Sequence, residues 1–76
     1  MPKLNPISAK KLIKILLEIG FHEIRIKGSH HFFSHGNGKT TVVPIHGNED
    51  ISVGLLKKIL RDIDIDVELY EKLRVK

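Results

Sequence analysis

The 76-residue chain has no cysteine and no tryptophan, and aromatic residues make up only 5% of it. Without cysteine, no disulfide can staple the fold and no thiolate can hold zinc. That fits a reducing compartment. No apolar run approaches the ~20 residues needed to span a bilayer. The N-terminus shows no apolar segment followed by a small-residue cleavage site. The expectation is a cytoplasmic protein without a membrane partner. Acidic groups are outnumbered: 13 Lys and Arg stand against 9 Asp and Glu, a formal charge of +4. Such a balance favours a polyanionic partner, either nucleic acid or an acidic protein. Hydrophobic residues make up 41%, too many for a disordered chain. The length supports one domain, residues 1–76, with a small core.

Hydrophobic spacing divides the chain into alternating elements. Residues 1–7 read as an extended lead-in. Ser8 is placed to cap a helix over AKKLIKILLEIG, with Ala9, Leu12, Ile13, Leu16 and Leu17 forming its apolar stripe and Gly20 its C-cap. FHEIRIK follows as a strand, with His22, Ile24 and Ile26 expected on the half-buried face. Gly28 and Ser29 make a turn, and HHFFSH reads as a second strand. The GNG at 36–38 signals a hairpin. KTTVVPIH is the third strand, and Pro44, lacking an amide hydrogen, belongs at a strand end or on an edge. GNEDI reads as a loop. Ser52 caps a second helix with a stripe of Val53, Leu56, Ile59, Leu60 and Ile63, and Leu55 alongside. Asp66 caps a short third helix through Leu73 that would dock Leu69, Tyr70 and Leu73. The expected architecture is α+β: α-β-β-β-α, a three-stranded antiparallel sheet with the helices on one face. Phe32 and Phe33 are neighbours on one strand and so point to opposite faces.

Five histidines in so short a chain invite a chemical reading. A metal centre fits poorly. His30 and His31 point to opposite faces, no HExxH helix exists, and no cysteine completes a ligand set. No metal or other cofactor is expected. His22 reads as a partly buried structural residue and His35 as a solvated turn residue. Proton transfer fits better, since imidazole changes charge near neutral pH. RNA brings its own nucleophile, the 2′-hydroxyl. A ribonuclease therefore requires only a proton donor or acceptor, cations for the phosphate, and a surface to hold the strand. KGSHHF, residues 27–32, offers these together. The Gly28 and Ser29 amides and the Ser29 hydroxyl can contact a phosphate, with Arg25, Lys27 and Lys39 adding charge. An exposed aromatic such as Phe32 can stack a base, lie under a protein partner, or simply pack.

The motif series is Gly20-Phe21, Gly28-Ser29-His30, Pro44-Ile45-His46, and Gly54-Leu55-Leu56-Lys57-Lys58-Ile59-Leu60. In this order, through residues 20–60, it resembles the HicA toxin family of HicA/HicB toxin–antitoxin systems. With the first helix the likeness covers most of the chain. The resemblance implies a fold like that of double-stranded-RNA-binding domains, which agrees with the element order. It also implies a metal-independent mRNA interferase. The catalytic histidine of its GSH motif falls on His30. His46 matches the P-x-H histidine, in a supporting role to the site or the fold. The implied partners are mRNA, single-stranded or in translation, and a HicB-family antitoxin that occludes the site. The alternative is an inactive module of the same fold that binds RNA or an antitoxin.

Overall fold

The computed structural model describes residues 3–76, so Met1 and Pro2 of the expected lead-in lie outside it. The order is β1 (Ile7–Ser8), α1 (Ala9–Glu18), β2 (Phe21–Lys27), β3 (His30–His35), β4 (Thr40–Pro44), β5 (Asp50–Ile51), α2 (Val53–Asp62) and α3 (Val67–Arg74). The α-β-β-β-α series is therefore present, with a third helix appended. Strands β2, β3 and β4 form an antiparallel sheet in that order. GNEDI is not wholly a loop: its Asp50 and Ile51 pair antiparallel with Ser8 and Ile7. A two-residue strand is too short to show any periodicity.

Each helix begins as its sequence dictates. Ser8 Oγ accepts from the Lys11 amide at 3.2 Å, Ser52 Oγ from Leu55 at 3.3 Å, and Asp66 Oδ1 from Leu69 at 2.8 Å. Each bond satisfies an amide that the helix itself leaves unpaired. The first helix ends at Glu18, one residue before its apolar run does. Ile19 is the C-cap, and Gly20 follows at φ +98°, where an L-residue is strained.

The core joins α1 and α2 to one sheet face. Leu12, Leu16, Phe33, Val43, Leu56 and Ile59 are fully enclosed. In α1 the buried set is Ala9, Leu12, Ile15 and Leu16, whereas Leu17 is 52% exposed. The LIKILL run offers two overlapping stripes. At 3.6 residues per turn, the buried arc centres between Leu12 and Leu16 and leaves Leu17 on its rim. Helix α2 buries Leu56, Ile59 and Leu60, with Ile63 just beyond, as its spacing requires. Helix α3 docks through Tyr70, while Leu69 lies on its outer side and is exposed. Pro44 ends an edge strand, where its missing amide hydrogen breaks no ladder bond.

Strand β2 departs most from the regular reading. Only Phe21 is buried; His22, Ile24 and Ile26 are all exposed. The ladder slips between Glu23 and Arg25. Glu23 faces Phe33 and Arg25 faces Phe32, which leaves Ile24 as the extra residue of a β-bulge. A bulge reverses the alternation downstream of it. His22 and Ile26 therefore lie on opposite sheet faces, and the period expected for them is broken.

Candidate active site at the open end of the sheet

The first hairpin turns on two residues. Gly28 takes φ +60°, as the first central residue of a type II′ turn must, and Ser29 completes it. Lys27 and His30 are the ladder pair that closes the turn, and His30 is also the ladder partner of Pro44. Bonding continues one place beyond β4, where the Ile45 amide donates to the Ser29 carbonyl at 2.7 Å. His46 follows, exposed, two positions past Pro44 and beyond the last ladder pair. No atom lies within 4 Å of where a Gly28 side chain would begin, so the turn projects into open space.

Two faces must be kept apart here. Phe33 is the enclosed residue of β3, so His31 and His35 share the helix-covered face. His30, Phe32 and Ser34 share the open one. Pairing carries this across to β2. Arg25 and Lys27 join Phe32 and His30 on the open face, whereas Glu23 and Ile26 fall on the other. The bulge at Ile24 delivers both cations to the face of His30. An unbroken ladder from Phe21 would have turned Ile24 and Ile26 there and sent Arg25 and Lys27 to the helix side.

On the open face the Arg25 guanidinium lies over the Phe32 ring, 4.5 Å from its centroid. Neither Arg25, Lys27 nor His30 has a side-chain hydrogen bond or ion pair among the described residues. The charges of Arg25 and Lys27 are free for a ligand. On the covered face His31 Nδ1 lies 3.4 Å from Glu23 Oε1 without hydrogen-bond alignment. His31 thus faces away from His30, with Glu23 beside it on the covered face.

Lys39 is not brought to this cluster. It begins the return from the second hairpin, beside His35, about 17 Å along β3 from His30. Its amine lies 3.7 Å from the Asp64 carboxylate. His35 is no solvated turn residue. Its Nδ1 accepts from the Asn37 amide at 3.0 Å, so the proton sits on Nε2, which donates to the Ile19 carbonyl at 3.1 Å. Its ring also packs edge-on against Phe21, centroids 5.0 Å apart. Among the described residues no three His, Cys, Asp or Glu side chains converge as a metal would require.

Sequence reasoning missed the bulge and the Glu23–His31 contact.

None of the described helices is long and apolar enough to cross a membrane. No curated protein matches the chain. A family model described as the HicA toxin of bacterial toxin–antitoxin systems matches residues 9–65, from the first residue of α1 to just past α2. That stretch includes the whole sheet and the Gly28-Ser29-His30 turn. The match covers three quarters of the sequence, and the chain belongs to the HicA toxin family, the toxin half of a pair with a cognate antitoxin.

Proposed function

We propose that this toxin is a metal-independent mRNA endoribonuclease with His30 as its general acid or base. The observation that carries the reading is the closing pair Lys27–His30, set on the open face with Arg25 and beside the projecting Gly28-Ser29 turn. In-line cleavage of RNA needs no protein nucleophile. The 2′-oxygen bonds to phosphorus, the 5′-oxygen leaves, and one proton moves off the first while another moves onto the second. His30 is exposed and unencumbered, so it can reach a proton on a strand lying across the hairpin end. Lys27 balances the charge that builds on the phosphoryl oxygens. The Gly28 and Ser29 amides and the Ser29 hydroxyl hold the phosphate, and His46 flanks it from the end of β4. The substrate is mRNA in the cytoplasm, single-stranded or in translation. The HicB-family antitoxin silences the toxin by covering the same open face.

Induction in a bacterial host tests this. The parent chain arrests growth with loss of mRNA, and a co-expressed antitoxin restores both. A folded, expressed parent that leaves growth and mRNA intact overturns the reading.

A further inference from the structure

The sheet offers one place for a base to stack. Of the four aromatic side chains of the protein, Phe21, Phe33 and Tyr70 are at most 2% exposed. Phe32 alone reaches the open face, and there it is half-buried beneath the guanidinium of Arg25. Arg25 is exposed, and no carboxylate pairs with it among the described residues. Glu23, its nearest acidic neighbour on β2, is turned to the other face by the bulge. A phosphate contact needs only charge. A ring beneath the guanidinium does something further: it can hold the flat group face-on, and the exposure of Arg25 leaves the other side open to solvent. A guanidinium so held stacks on a base as an aromatic ring does. Arg25–Phe32 and Lys27–His30 are successive pairs on this face, about 6.6 Å apart along the strand. That is about one nucleotide step.

We propose that the Arg25–Phe32 stack is a platform for one unpaired base of RNA, next to the nucleotide whose phosphate meets Lys27 and His30. The inference rests on the ribonuclease reading and adds its substrate form. A base inside a duplex is already stacked on both sides and cannot reach the platform, so the site takes single strands.

The test is equilibrium binding with the full chain carrying His30→Ala, so that RNA is held and not cut. Two probes of equal length are used: a single-stranded oligoribonucleotide and the same ribose-phosphate strand without bases. The base-bearing strand binds roughly tenfold tighter or more. Adding Arg25→Lys, which keeps the charge and loses the plane, erases most of that difference. It leaves binding of the abasic strand and the salt dependence of both as they were. Phe32→Leu, which keeps an apolar side chain on β3, does the same. Equal binding of both strands by the His30→Ala chain overturns the platform and leaves the RNA reading standing. Equal loss on both strands with Arg25→Lys overturns it as well, because Arg25 is then a phosphate contact. If neither strand binds, the RNA reading fails and the platform with it.

Discussion

Arg25 stands opposite Phe32, where an unbulged β2 would have placed Ile24. This offset decides which side chains share a face with His30, and it can be tested by removing single residues. Deleting Ile24 leaves an unbroken ladder in which Arg25, Ile26 and Lys27 keep their partners. Deleting Ile26 also removes the need for a bulge, but turns Arg25 onto His31 and the helix side. The first variant retains toxicity within a few-fold of the parent, and the second loses it at least tenfold. Growth arrest on induction, with folding checked by circular dichroism, separates them.

Gly20 and Gly28 both adopt positive φ, at +98° and +60°, but only one is enclosed. A Cβ on Gly20 would lie 2.9 Å from Nε2 of His35, the atom that bonds the Ile19 carbonyl. Gly20→Ala therefore adds a clash to backbone strain and costs about 2 kcal/mol or more, whereas Gly28→Ala costs about 1 kcal/mol from strain alone. Urea unfolding midpoints give the order.

Lys39 and Lys27 carry the same charge at opposite ends of the sheet. Lys27→Ala weakens RNA cleavage at least tenfold, since it removes the cation that the ladder sets opposite His30. Lys39→Ala leaves cleavage within about twofold, because that amine lies beside Asp64. Initial rates on one RNA substrate decide it.

The Tyr70 hydroxyl is buried without a hydrogen-bond partner. Burial, aided by the nearby Glu71 carboxylate, raises its pKa above the ordinary 10.0. A tyrosine whose pKa is raised by folding adds stability below the unfolded value and loses it as pH climbs through the folded one. Tyr70→Phe removes an unpaired polar group, so it is neutral or stabilising by about 1 kcal/mol at pH 7. It also flattens the decline above pH 10.0. Urea unfolding of both proteins at neutral and alkaline pH checks it.

Much of this fold is legible in the sequence because it depends on local chemistry. Ser8, Ser52 and Asp66 cap the helices that their positions suggest, and the Gly28 and Gly36-Asn37-Gly38 turns lie where glycine and asparagine make them cheap. The alternation of Phe32 and Phe33 also gives the two faces of β3 correctly. What is not legible depends on contacts distant in sequence. His35 looks like a turn residue until the C-terminal end of α1 is brought against it, sixteen residues earlier in the chain. Lys39 looks like another site cation because sequence proximity conceals the length of β3. The facing of Arg25 and Lys27 depends on one unpaired residue, Ile24, whose place is fixed by pairing with β3 rather than by its own type.

In the proposed reaction, His30 moves protons during cleavage by the RNA's own 2′-hydroxyl. The most direct measurement is the chemistry of the ends produced from a defined RNA by purified protein in excess chelator. The expected result is 2′,3′-cyclic phosphate and 5′-hydroxyl ends from the parent and none above background from a folded His30→Ala variant. Equal cleavage by both proteins, or 5′-phosphate ends from the parent, would contradict it.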